Sequence, residues 1–308
     1  MTAYPSENPK LQKSIVCYVD ILGFSQLSSE ALEKNEGNAF LIKLRNALSK
    51  AYEDIRKRAN GWGENEYFTI KIFTDNIVVG YPLQRFNDNF GESELGDIFS
   101  VFRTFQMNLA LEGFLARGGI AVGELFMDND IVFGDALLKA VAQDKNGGPP
   151  YISLSPSAVK ILQAHLGFYV NTDFAPQCYH LLEDSDGTIF INYLQEAFIA
   201  FPDAGIFFKC FEGHKKTIIR GLKKYSSHPG IRSKYEWAAR YHNYVCNDMA
   251  EKYSNFNYND GNFDELDALA AEEAQRLLDY TIDIESLTGK PRKLTIKPLE
   301  KSDTQAGG

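Results

Sequence analysis

The sequence is short of cysteine, of basic charge and of long apolar runs, and each shortage removes a class of protein. Its 308 residues hold four cysteines. Cys17, Cys178, Cys210 and Cys246 are scattered, with neither the paired spacing of a zinc site nor the density of a disulfide-stapled domain, so they read as reduced, packed thiols. Lys and Arg total 32 against 41 Asp and Glu, and a net charge of −9 argues against a nucleic-acid backbone or an anionic membrane as the main partner. A small anionic ligand needs only local positive charge. No stretch is apolar for long enough to span a bilayer, and residues 1–13 are polar and lack the apolar core of a signal peptide, so a cytoplasmic protein is expected.

What the chain does hold is a 44% hydrophobic fraction, enough for one large or two modest cores. Ser14-Ile15-Val16-Cys17-Tyr18-Val19 is β-branched and aromatic, too short for a helix, and predicts a central strand. Asp20 then stands at the edge of a core, where a carboxylate needs a metal, a cation or backbone donors. A second carboxylate, Asp75, lies in the tight connection between the runs Tyr67 to Phe73 and Ile77 to Tyr81, which predict a β-hairpin. Two carboxylates at neighbouring strand ends suit Mg²⁺ or Mn²⁺, which bind through one or two carboxylates, water and substrate phosphates. Gly23 lets the backbone approach closely, and the N–H groups of Gly23, Phe24 and Ser25 open the following helix as donors to phosphate oxygens.

Along the chain, Leu41, Leu44, Leu48, Ala51 and Ile55 recur at helical steps and predict one buried face. Asn60-Gly61-Trp62-Gly63 ends that helix, and Arg85 to Gly96 reads as a polar loop. Ile98, Phe102, Phe105 and Leu109 mark a second amphipathic helix leading to a strand from Gly118 to Phe126, with Arg117 just before it. After a turn at Asp128-Asn129-Asp130, a helix is expected from about Gly134 to Asp144. Ser155 followed by Pro156 is a strong helix start. The runs Cys178 to Leu182 and Thr188 to Leu194 predict another hairpin. In outline this is an α+β fold, a mixed sheet with helices on one side. From about residue 200 the pattern turns helical, with a basic segment from His214 to Tyr225, an aromatic face at Tyr235, Ala238, Tyr241, Val245 and Met249, and an acidic segment from Phe263 to Tyr280. The expected division is a tail at 1–13, a main domain at 14–197, a helical extension at 198–287 and a mobile tail at 288–308.

The order of the motifs resembles that of class III nucleotidyl cyclases: Asp20-Ile21-x-Gly23-Phe24-Ser25, Lys71-Ile72-x-x-Asp75, Arg117-x-Gly119-Ile120-x-x-Gly123-Glu124 and Phe133-Gly134-Asp135-Ala136, over roughly residues 14–195. The resemblance implies a ferredoxin-like core and two divalent metal ions, Mn²⁺ or Mg²⁺, held by Asp20, Asp75 and the backbone carbonyl of Ile21. It also implies that Arg117 contacts the triphosphate and that Lys71 reads the base. Sites in this family are composite, so a homodimer is implied, with a nucleoside triphosphate as substrate.

Departures from the purine enzymes are equally specific. Leu138 and Ala142 stand where those enzymes keep an asparagine and a transition-state arginine, and Ile131 stands where they keep a base-reading aspartate. Lys139 or Lys145 is the nearest substitute for the arginine. Thr74-Asp75-Asn76-Ile77, Ala116-Arg117-Gly118-Gly119-Ile120 and Gly134-Asp135-Ala136-Leu137, with Lys234-Tyr235-x-Trp237 and Tyr241-His242-Asn243, resemble the pyrimidine cyclases of bacterial Pycsar antiphage defence. That resemblance implies conversion of UTP or CTP, with UTP favoured, to a cyclic monophosphate that activates a separate effector. Two other expectations stand beside it: a purine cyclase, for which Lys71 is the best support, and a nucleotide-binding regulatory domain without turnover.

Overall fold

The computed structural model describes residues 3–59, 68–83, 91–145, 148–169, 175–200, 204–254, 274–289 and 296–299. The predicted stop at Asn60 to Gly63 and most of the acidic segment from Phe263 lie outside them. Contacts divide the chain into two units: Met1–Leu109 with Leu115–Tyr193 and Lys297–Gly308, and Ala110–Phe114 with Leu194–Ile296.

The first unit is built on a mixed sheet centred on β1 (Gln12–Ile21). Its β-branched and aromatic residues are shielded on both edges, by β3 (Asn76–Pro82) and by β4 (Ala116–Met127), each antiparallel to it. β2 (Thr69–Phe73) closes a hairpin onto β3. Beyond β4 lie β6 (Ile152–Leu154), parallel to β4, then β8 (Ile189–Ile191), β7 (Leu181–Glu183) and β9 (Lys297–Pro298), while the two-residue β5 (Val132–Phe133) folds back on the end of β4. The helices of this unit are α1 (Phe24–Glu33), α2 (Gly37–Ala59), α3 (Glu92–Leu111), α4 (Asp135–Lys145), α5 (Pro156–Leu166) and the single turn α6 (Gln177–His180). The mixed α+β character is as expected, and the central strand is buried on both of its faces. Ile15, Cys17, Val19 and Ile21 alternate with Val16, which lies in one cluster with Ala136 and Ala140 of α4. Each such buried aliphatic side chain contributes roughly 1.5–3 kcal/mol.

Four expectations change. Residues 1–13 are not all tail, because Tyr4 is buried, donates its hydroxyl to Ser14 Oγ at 2.8 Å and meets Phe126 edge-on. Within the expected mobile tail, Lys297–Pro298 pairs with β7, and Lys297 forms an ion pair with Glu183; a proline is tolerated there because the strand is an edge. Cys178 to His180 is a helical turn rather than a strand, set off by Pro176 in the helical region. Leu41 is 59% exposed, so the buried face of α2 starts at Leu44. Ser155 caps α5 as predicted, accepting from the Ala158 N–H.

In the second unit, α7 (Ala204–Lys224) packs on α8 (Pro229–Ser254), followed by a 3₁₀ segment, Arg276–Tyr280, and α9 (Ile284–Thr288). The predicted aromatic face of α8 is buried, and Trp237 stacks on Tyr241. Among the described residues no helix is long and apolar enough to cross a membrane.

Candidate active site

The register of the central strands builds the site. Asp20 on β1 lies opposite Arg117 on β4, as Tyr18 lies opposite Gly119 and Val16 opposite Ala121. Opposed residues share a face, so pairing the strands sets the Asp20 carboxylate beside the Arg117 guanidinium. Arg117 Nη2 is 3.2 Å and Nε 3.4 Å from Asp20 Oδ2. Asp144, in the last turn of α4, reaches the same fork, with Oδ1 2.9 Å from Nε. All three side chains are largely buried, at 16%, 20% and 9% exposure for Asp20, Arg117 and Asp144.

On the other edge of β1, Val19 lies opposite Ile77, which carries the two-residue turn between β2 and β3 past the end of β1. Asp75 sits in that turn, and its carboxyl group is a neighbour that raises the Asp20 carboxyl. The turn is fixed locally: Asp75 Oδ1 accepts from Thr74 Oγ1 at 2.7 Å and from Asn76 Nδ2 at 3.2 Å. Thr74 adopts φ +52°, a strained conformation for a β-branched residue. Asn76 in turn accepts from the Tyr18 hydroxyl. Burial, with the nearby carboxylates of Asp20, Asp144 and Asp75, pushes Tyr18 up to about 12, which keeps it a hydrogen-bond donor.

Crowding of acids shows most clearly at Asp20. Burial first, then the hydrogen bond and charge of Asp75 and the charge of Asp144, push its carboxyl up to about 7, with Arg117 acting in the opposite direction. Two acids driven together at strand ends meet the electrostatic condition that a divalent cation relieves. Among the described residues no group of three or more His, Cys, Asp and Glu side chains forms a cage. The side-chain donors at the strand ends are the two carboxylates, and Ile21, whose carbonyl the resemblance adds, is the last residue of β1. That set fits an ion of the Mg²⁺ type, which completes its octahedron with water and substrate phosphates.

Beside the acids, Leu22 N–H donates to Leu115 O at 2.8 Å and pins the chain as it leaves β1. Gly23 then takes φ +73° and forms the N-cap of α1, with no side chain capping the first turn. The N–H groups of Gly23, Phe24 and Ser25 thus open a ten-residue helix whose positive pole favours an anion. Lys71 stands apart from the acids: its Nζ donates to Asn129 O at 2.7 Å, in the turn between β4 and β5. Lys139 pairs with Asp135 on the surface, and the side chain of Lys145 lies outside the described residues.

Asp144 is the site residue that the motif reading omits. A signal for it exists in Ala136, Ala140 and Asp144, which repeat at four-residue steps on one face of α4. Two alanines on that face admit a close approach to the sheet, and the third position delivers a carboxylate. A cavity of about 220 Å³ is lined by Arg117 and Asp144 together with Tyr151, Ser153, Asp186 and Thr188. No protein-family model matches the chain, and no curated protein matches it.

Proposed function

We propose that this chain is a metal-dependent pyrimidine nucleotide cyclase, similar to the pyrimidine branch of the class III nucleotidyl cyclases. The observation that carries the reading is the Asp20–Asp75 acid pair, with Arg117 on it, beside the glycine turn that opens α1. In the proposed reaction the ribose 3′-oxygen of UTP or CTP attacks the α-phosphorus. A new P–O bond closes the 3′,5′ ring, the bond to the β-phosphate oxygen breaks, pyrophosphate leaves in line and the hydroxyl proton passes to solvent. Asp20, Asp75 and the Ile21 carbonyl would hold two divalent cations. Bound there, Mg²⁺ or Mn²⁺ supplies the Lewis acidity that lowers the 3′-hydroxyl pKa and neutralises the leaving pyrophosphate. The chain's own residues position: the first-turn N–H groups of α1 bind phosphate oxygens, and Arg117 places its planar fork on the triphosphate.

A homodimer accompanies this reading. Phe73, Ile131, Phe133 and Leu138 are apolar and at least half exposed. The Lys71 contact to Asn129 joins their elements, β2 and the β4–β5 turn, and α4 follows β5 directly. Water-facing apolar groups of this size support a covered surface. UTP is the favoured substrate, and the cyclic product would act on a separate effector in antiphage defence.

One observation favours a second reading, a nucleotide-binding regulatory domain without turnover: Arg117 occupies Asp20 directly. The deciding experiment incubates purified protein with each of the four ribonucleoside triphosphates and Mn²⁺, then Mg²⁺, and identifies products by mass, with Asp75→Ala as control. Cyclic UMP or CMP, lost in Asp75→Ala, is expected. Cyclic AMP or GMP would replace the pyrimidine reading with a purine one, and no product from folded protein would favour the regulatory domain.

A further inference from the structure

We infer that Asp144 is a positioning residue for Arg117: its buried carboxylate holds the guanidinium at the strand ends as an ion pair, so that the N–H donors are presented to a triphosphate once Asp20 is engaged elsewhere. The inference rests on the proposed role of Arg117 as the triphosphate arginine.

Two acids meet the fork in different ways. Asp20 Oδ2 accepts from Nε at 3.4 Å and from Nη2 at 3.2 Å, whereas Asp144 Oδ1 stands 2.9 Å from Nε as an ion pair that takes up none of the guanidinium's N–H groups. A guanidinium has five N–H donors in one plane. A carboxylate that holds the cation by charge alone leaves those donors for the strand-end acids or for an incoming anion. A metal and a triphosphate arriving at Asp20 compete with its pairing to Arg117, and on the proposed reading Arg117 exchanges Asp20 for phosphate oxygens. Without Asp144, the released side chain would regain rotamer freedom at that moment. With Asp144, one anchor survives the exchange.

Three features show that the fold is built to place this carboxylate. Asp144 stands in the last turn of α4, where the helix dipole disfavours an anion. Its partner therefore has to compensate for the position. Gly119 lets α4 lie directly on β4: a Cβ there would collide with Ala140 O and come within 2.5 Å of Gln143 Cβ. Ala140 and Ala136, about one and two turns earlier on the same face, are fully buried. This contact is what sets the end of α4 against Arg117.

The test is a double-mutant cycle read by calorimetric titration of inorganic tripolyphosphate with Mn²⁺, alongside KM and kcat for UTP. Asp144→Asn keeps the shape and removes the charge. It is expected to weaken tripolyphosphate about tenfold, the scale of losing one largely buried ion pair, and to raise KM more than it lowers kcat. In an Arg117→Ala background the same substitution is expected to change affinity less than about twofold, because its effect runs through Arg117. Asp144→Glu, which keeps the carboxylate, should recover most of the affinity. Equal loss in both backgrounds, or unchanged affinity in Asp144→Asn, overturns the inference.

If Asp144→Asn does not fold, Arg117→Lys decides the point. An ammonium keeps the charge but lacks the fork, so affinity should fall about tenfold, and undiminished affinity overturns the inference. If Arg117→Ala itself leaves tripolyphosphate binding unchanged, Arg117 is not the triphosphate arginine, and both readings fall together. An intact cycle with no cyclic product from any nucleotide removes the enzyme and leaves Asp144 as the positioning residue of a binding site.

Discussion

Arg117 Nη2 lies 3.2 Å from Asp20 Oδ2, a cross-strand ion pair formed by residues 97 positions apart in sequence. On the proposed reading the same carboxylate would engage a metal. In the ligand-free chain Arg117 therefore acts as a stand-in cation, and removing it should have opposite effects on stability and on metal affinity. Arg117→Ala is expected to destabilise the metal-free protein by about 2 kcal/mol, at the lower side of what removing one partner of a buried pair costs, because the site keeps some exposure. In the same variant, Mn²⁺ without nucleotide should raise the melting temperature further than in the unaltered chain. Thermal melts with and without Mn²⁺ check both; a smaller Mn²⁺ shift in Arg117→Ala would show that the two cations do not compete.

The pH dependence of that site has a defined sign. Asp20 is an acid whose folded value, about 7, lies above its ordinary value of 3.8. Between those values the folded state holds the proton and the unfolded state does not, so this group's contribution to stability is present below about 4 and is lost as pH rises through 7. Metal binding must release that proton, so Mn²⁺ affinity should rise with pH and level off above about 7. Asp20→Asn should flatten the stability profile over this interval and abolish Mn²⁺ binding. Chemical denaturation at pH 5, 6, 7 and 8 measures the first effect and titration of Mn²⁺ the second.

A pair of buried imidazoles gives the second unit the opposite dependence. His214 Nδ1 and His242 Nδ1 are 2.9 Å apart, both rings fully buried, and His242 Nε2 contacts Tyr280 O at 3.0 Å. Phe211, Lys215, Tyr241 and Cys246 are neighbours of the pair, and none of these four is an acid that could neutralise an imidazolium. Burial lowers His214 well below its ordinary value and His242 to about 4, with the neighbouring charge adding to each. Folded chain thus binds fewer protons than unfolded chain below pH 6.5, and stability falls as pH drops from about 6.5 towards 4. The slope can reach about 1.4 kcal/mol per pH unit for each imidazole. His242→Asn should shallow it, as read from denaturant midpoints at pH 7 and pH 5.

Close contact of α4 with the sheet is testable by volume. Gly119→Ala places a methyl against Ala140 O and Gln143 Cβ, which is overpacking against a helix backbone. A loss of about 1–3 kcal/mol is expected, with weaker tripolyphosphate binding as the end of α4 moves off Arg117. Gly187→Ala, where a Cβ would meet open space at a positive φ, serves as a comparison that carries backbone strain without the collision. A Gly119→Ala loss no larger than that of Gly187→Ala would mean that α4 yields without cost.

How much of this was legible beforehand depends on the range of each signal. Central strand β1 shows in its β-branched run, and the hairpin around Asp75 shows in two apolar runs with a polar turn between them. With both placed, Asp20 and Asp75 fall at neighbouring strand ends. Register is a different matter: nothing local says that Asp20 lies opposite Arg117 rather than one residue along, and a slip of one would put the guanidinium on the other face. Asp144 was hidden for a related reason, since an acid at a helix end reads as solvated until the helix face it shares with Ala136 and Ala140 is seen against β4. Tyr4 and Lys297–Pro298 carry no local signal because each is ordered by contacts outside its own stretch, Tyr4 by Ser14 and Phe126 and Lys297–Pro298 by β7, and short polar stretches have no periodicity to announce it.

Exposed apolar side chains around α4 give the last prediction. Leu138 is 71% and Phe133 65% exposed, so replacing either with a charged residue removes little from the folded monomer. Leu138→Glu and Phe133→Asp should each leave the melting temperature within a few degrees of the unaltered chain. If this surface joins two copies, both variants should shift the mass measured by light scattering from dimer to monomer. Because the proposed site is completed by the second copy, cyclase activity should fall in proportion to the dimer lost and recover at higher protein concentration. A chain that is already monomeric, or variants that stay dimeric with full activity, would place the twofold contact elsewhere and leave Leu138 and Phe133 as surface residues with no part in the site.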